Sequence, residues 1–116
     1  TVRGFAQDDI WAGGDNGIIL HFDGGNWSVM PGPTDYFVSA IGGTGRGDVF
    51  FTDGRLLAHF DGGSLGPAPV EPPPHGKFNA VWATQDRVFV TGWIWDGGTN
   101  GGSPNIEGFV DQYTRH

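Results

Sequence analysis

"IILHFDGGN" fills residues 18–26 and "LLAHFDGGS" fills residues 56–64. A chain of 116 residues that writes His-Phe-Asp-Gly-Gly twice is built from repeats. In each copy aliphatic residues run into His-Phe, a strand signal, and Asp-Gly-Gly follows as turn chemistry. Each copy therefore reads as the end of one strand and the turn into the next.

The same period appears upstream. "DDIWAGG" (8–14), "GDVFFTDG" (47–54) and "DRVFVTG" (86–92) each set an acidic turn before an aliphatic–aromatic couple, and Ile10, Val49 and Val88 stand 39 residues apart. An apolar segment precedes each couple: "VRGFA" (2–6), "YFVSAIGG" (36–43) and "KFNAVWA" (77–83). A third strand follows in each unit, the last being "EGFVDQYT" (107–114). A fourth follows twice, as "NWSVMPGP" (26–33) and "SLGPAPV" (64–70). Glycine or proline interrupts almost every window, which disfavours helix.

Four short strands per forty residues is the plan of a propeller blade. The expected fold is all-β, with three tandem four-stranded antiparallel blades, the third incomplete. The units fall at about 1–35, 36–76 and 77–116 of one partial β-propeller spanning 1–116. Each blade has two apolar faces, so three blades in an arc leave one uncovered face at each end. Another copy of the chain, or further blades of the same chain, is expected to complete it.

Composition narrows the partners. The net charge of −7, with Lys77 the only lysine, repels phosphate backbones and anionic lipid, so neither nucleic acid nor a membrane surface is expected as partner. No apolar run is long enough for a membrane span, and no signal peptide is visible. With no cysteine there is no disulfide framework and no thiolate metal site. The 22 glycines punctuate rather than fill, since nine Phe, five Trp and two Tyr supply the core that disordered chains lack. The chain opens on Thr1 rather than Met, which reads as a processed protein or a fragment.

At "DIWAGGDNGIILHFDGGNWSVM" (9–30) the sequence resembles the repeat unit of bacterial β-propellers of the BNR/Asp-box and photosystem II assembly factor (Ycf48-like) type, in which an apolar strand precedes a D-G-G-x-(T/S)-W turn. Asp23, Gly24, Gly25 and Trp27 match that turn, one residue short before the Trp. Asp61, Gly62 and Gly63 match it again, with Leu65 in place of the Trp, whereas Thr114 stands where the third Asp would be. The resemblance implies a structural rather than catalytic turn. It also implies a secreted or bacterial cell-surface location, in a group that includes sialidases, assembly factors, lectins and surface proteins.

Several residues are candidates for chemistry. His21 and His59 occupy equivalent positions, yet packed sheets lie about 10 Å apart while zinc ligands lie about 2 Å from the metal. A shared metal is therefore excluded, and each imidazole is expected to bond the adjoining blade. In "DGGTNGGSPNIE" (96–107), Asp96, Asn100, Gly101 and Glu107 fall at positions 1, 5, 6 and 12 of an EF-hand-like calcium loop. Gly98 offers no oxygen at position 3 and the flanks read as strands, so the competing expectation is a long insertion with no cofactor. Trp93 and Trp95 share one face of a strand at its root. With Asp96 and Asn100 they would form a sugar-stacking platform at an exposed rim; in a core they would simply pack, the expectation preferred here. Trp11, Trp27 and Trp82 fall in the repeat pattern as packing residues. "GPAPVEPPPHG" (66–76) reads as a stiff, extended connector.

For catalysis the sequence offers no G-x-S-x-G elbow and no H-E-x-x-H. Arg3, Arg46, Arg55, Arg87 and Arg115 form no pattern with Tyr36 or Tyr113. No catalytic residue is assigned. The function expected is a non-catalytic binding or assembly scaffold for a protein or glycan surface, engaged through residues 93–107 and the turns at one rim. The alternatives are a lectin with a sugar site per blade and a fragment of an Asp-box-type glycoside hydrolase.

Overall fold

Ile10, Val49 and Val88 each sit near the start of the second strand of a sheet, directly opposite an aromatic residue of the third: Phe22, Phe60 and Tyr113. The computed structural model describes residues 1–31, 35–95 and 106–115. The first sheet contains β1 (Val2–Ala6), β2 (Asp9–Gly13), β3 (Ile18–Phe22) and β4 (Trp27–Pro31). The second contains β5 (Ala40–Gly45), β6 (Asp48–Thr52), β7 (Leu57–Phe60) and β8 (Leu65–Pro67). The third contains β9 (Gly76–Ala83), β10 (Arg87–Trp95) and β11 (Ile106–Thr114). Within each sheet the strands lie in sequence order, every pairing antiparallel.

Alternation along the strands gives each sheet two unlike faces. From the first sheet Trp11 and Ile19 pack against Ile41, Val49 and Phe51 of the second. Phe50 and Leu57 of the second sheet are buried against Phe78, Val81, Val88 and Val90 of the third. Val49 and Phe51 thus look back to the preceding sheet, while Phe50 between them looks forward. The sheets stack head to tail as an open arc of three, and the fold is all-β, as the spacing predicts.

The first strands β1, β5 and β9 lie side by side through the arc. A Cβ on Gly42 of β5 would fall 2.2 Å from the Val81 carbonyl oxygen of β9, so only glycine permits this approach. The proline-rich connector is less detached than its composition suggests. The Ala68 N–H donates to the Leu57 carbonyl at 2.9 Å, and Ala68 and Val70 pack on the core between the second and third sheets.

The two end faces are exposed. Val2, Ile18, Trp27 and Val29 crowd the backward face of the first sheet, and Trp82, Trp93 and Val110 the forward face of the third. The tryptophan expectations need correction here. Only Trp11 is buried, whereas Trp27 is 52% exposed against Phe22 and Trp82 is 57% exposed against Phe89. Trp93 (38%) and Trp95 (47%) are likewise exposed rather than core. These residues sit at packing positions on faces that no other sheet of the described residues covers.

Candidate functional site: the clefts between sheets

The repeat brings an aspartate, an aromatic ring and a histidine together in each of the first two sheets. In the first, Asp9 and Trp11 share a face of β2, and His21 of β3 lies opposite Trp11. The two rings stack at 4.1 Å with 25° between planes. Asp9 Oδ1 accepts the Trp11 indole N–H at 3.0 Å and lies 2.8 Å from His21 Nε2. In the second, His59 lies opposite Phe50, stacks on it at 4.4 Å, and places Nε2 2.7 Å from Asp48 Oδ1. In the third the same positions hold Arg87 and Gln112, joined by an Arg87 Nη1–H bond to Gln112 Oε1 at 3.2 Å.

The expectation that His21 and His59 bond the adjoining blade is therefore overturned. Strand pairing sets each histidine against the aromatic residue of its own sheet. The aspartate two positions before that residue is its diagonal neighbour, close enough to bond.

A different side chain crosses between sheets. Arg115, just after β11, donates Nη1–H to Asp48 Oδ2 at 2.9 Å and to the Thr84 carbonyl at 2.8 Å, while its Nη2 bonds Asp48 Oδ1. This is a two-pronged guanidinium–carboxylate pair, the strongest geometry such groups adopt. Burial pushes the Asp48 carboxyl upward, but the bonds from Arg115, Thr44 and His59 together outweigh it and hold it down at about 2. The bond to Asp48 likewise raises Arg115. Arg115 lies over the Phe50 ring at 5.4 Å and lines, with His59, Pro67 and Tyr113, a cleft of about 340 Å³ between the second and third sheets. Burial raises the Tyr113 phenol there.

A second cleft, of about 310 Å³, opens between the first and second sheets, where Asp9, Trp11, His21, Met30, Phe60 and Gly62 line it. Arg46 is also part of its wall, but that side chain is exposed and pairs with Asp8. Asp9 is 2% exposed, and its Oδ2 has no hydrogen-bond partner among the described residues.

The turn residues form two matching structures. Asp23 Oδ1 accepts the N–H of Gly25 and Asn26 at 2.9 and 2.8 Å, and Asp61 Oδ1 accepts those of Gly63 and Ser64 at the same distances. Gly24 and Gly62 take φ of +103° and +100°, which side chains resist. The backbone bonds lower both carboxyls from their ordinary value. These residues fasten the turn from the third strand to the fourth.

The candidate ligand and calcium residues are not brought together as a set. Trp93 and Trp95 share one face of β10, whereas Glu107 of β11 lies opposite Ile94 and so belongs to the other face. Asp96 and Asn100 lie outside the described residues. Asp9, Asp48 and Arg115 escaped the sequence reading. The available signal was an aspartate two residues before the aromatic in both "DIW" and "DVF".

Three sided antiparallel sheets, two of four strands and one of three, with their first strands side by side, define the class, part of a β-propeller. No family model matches the chain, and no curated protein matches it. Among solved structures it is similar to one described as "YCF48 bound to D1 peptide", with a TM-score of 0.63 and 19% identity over 91% of this chain. That overlap is 36% of the other chain, so the sequence spans about a third of that protein's length. At this identity the likeness establishes the fold.

Proposed function

We propose that the chain is a non-catalytic propeller scaffold that holds a segment of another protein, at a bacterial cell surface or in a secreted assembly. The observation that carries this reading is the likeness to a propeller described with a bound peptide. The location rests on the sequence resemblance. The chain's arginines also favour binding over glycoside chemistry. Arg3 lies over Phe5 and Arg55 over Tyr36, Arg46 pairs with Asp8, Arg87 bonds Gln112 and Arg115 bonds Asp48. They are dispersed rather than convergent on one carboxylate. The exposed end faces are covered, in this reading, by further blades or by a second copy of the chain.

A lectin is the second reading, favoured by Trp93 and Trp95 standing exposed on one face. Peptide and glycan arrays probed side by side separate the two. Saturable binding to peptides without glycan capture is expected, and glycan binding that Trp93→Ala abolishes would replace the scaffold reading with the lectin. Sedimentation of the 12.4 kDa chain across concentrations tests whether a second copy covers the end faces.

A further inference from the structure

The geometry points to the cleft between the first and second sheets as a receptor for an arginine side chain of a partner polypeptide, with Asp9 as the carboxylate that receives it. This inference rests on the scaffold reading and names the chemistry it would recognise.

The molecule contains its own template for such a site. Asp48 in the second sheet and Asp9 in the first begin equivalent strands, and each bonds its histidine through Oδ1. Asp48 Oδ2 takes the guanidinium of Arg115. The Asp9 side chain is more deeply enclosed, 2% exposed against 16% for Asp48, and its Oδ2 takes no bond from the described residues. A buried carboxylate oxygen with no donor is unfavourable, and a charge-assisted bond relieves that.

The register explains why the chain does not supply the cation by the same route. Tyr113 pairs with Val88 as Phe60 pairs with Val49, so Arg115, two residues beyond Tyr113, corresponds to Gly62. Gly62 belongs to the turn at φ +100°, where a side chain would be strained, and it lines the Asp9 cleft. Around the missing side chain the wall is suited to a guanidinium. Partly buried Phe60 and Met30 present aromatic and apolar surface to the stem, and the buried Trp11 and Asp9 complete the lining. At about 310 Å³ the cleft lies at the small end of ligand sites, roughly 300–1,000 Å³, which suits one side chain better than an oligosaccharide. Asp9 Oδ1 already takes Trp11 and His21, which leaves Oδ2 for one charge-assisted bond. Arginine is favoured over lysine because its flat, weakly hydrated guanidinium suits an aromatic and apolar wall.

The Trp11 indole N–H, bonded to Asp9 Oδ1, is the reporter. In ¹⁵N-labelled protein, its resonance is followed during titration with Nα-acetyl-arginine methylamide and with the uncharged citrulline analogue. The expected result is a saturable shift with the arginine probe and none with citrulline. Asp9→Asn should weaken the arginine titration at least ~10-fold, about 1.4 kcal/mol. Arg46→Ala, which removes a like charge from the rim and frees Asp8, should strengthen it several-fold. A Trp11 resonance indifferent to arginine, or equally responsive to citrulline, overturns the inference. So does one that ignores the probe yet moves in Arg46→Ala alone, since the chain's own Arg46 would then hold Asp9. If Asp9→Asn does not fold, the arginine–citrulline contrast on the unaltered protein decides. Peptide arrays separate this from the scaffold reading. Peptide binding with no arginine preference and no Trp11 response sinks the cleft alone, while a Trp11 response without peptide capture upholds the cleft and sinks the scaffold.

Discussion

Between the first and second sheets, Asp9, Trp11 and His21 form a stacked and bonded trio beside Met30 and Phe60. Between the second and third, Asp48, Phe50 and His59 form the same trio, and Arg115 from the following sheet closes over the carboxylate. The frame is common because strand register fixes it. The cation is not, because it comes from the end of the next unit, where Gly62 and Arg115 diverge. A repeat can thus conserve the architecture of an interface while one position decides whether that interface is internally filled.

Arg115→Ala tests this difference most severely. It strips the guanidinium from a mostly buried carboxylate and should cost about 3 kcal/mol, the low end for a broken buried pair, in urea unfolding. Combining it with Asp48→Asn should recover part of the loss. Trp11→Phe makes the first trio resemble the second but removes the indole donor to Asp9 Oδ1. A loss of about 2 kcal/mol is expected, as for a bond to a charged group, and a neutral result would mean that the indole bond contributes nothing and that the two trios are interchangeable.

Leu65→Ala should lower stability by about 1–2 kcal/mol, below the full-burial range because Leu65 is only partly buried. The equivalent Trp27→Ala should cost roughly 0.5 kcal/mol or less, since its face is exposed. Equal losses would mean that the first sheet's outer face is covered in solution.

The pH dependence is gentler. The folded Asp48 carboxyl, at about 2, lies below its ordinary 3.8. Its stabilisation is therefore fully present above about pH 4 and lost as pH falls through about 2. Acid titration of the unfolding midpoint should show that decline, and Asp48→Asn should remove it. Asp23→Ala and Asp61→Ala should each lower the thermal midpoint slightly and by similar amounts, because both open the same exposed turn.

The strands and their grouping were legible because the 39-residue period places Ile10, Val49 and Val88 at the same point of three sheets. The turns at Asp23 and Asp61 were legible because Asp-Gly-Gly has few conformations. Tryptophan exposure was not, since Trp27 and Trp82 carry the pattern of packing residues and differ only in what stands beyond their sheet. The histidine partners are not legible, because sequence spacing does not show that a residue two positions before Trp11 or Phe50 is a diagonal neighbour across the strand pair. Arg115 was invisible for a simpler reason: Asp48 lies 67 residues away, and only the stacking of sheets joins them.

The unlike faces of each sheet have a consequence for assembly. A backward face carrying residues such as Val49 and Phe51 meets a forward face carrying Trp11 or Phe50, so copies joined through these surfaces associate with polarity. Such a contact is heterologous: repeated, it traces a closed ring when its rotation divides a full circle, and a helical filament when it does not. The angle between neighbouring sheets, set by close approaches such as Gly42 against Val81, therefore fixes a counting rule. It determines how many units make a closed object and whether one unit more or fewer leaves a seam.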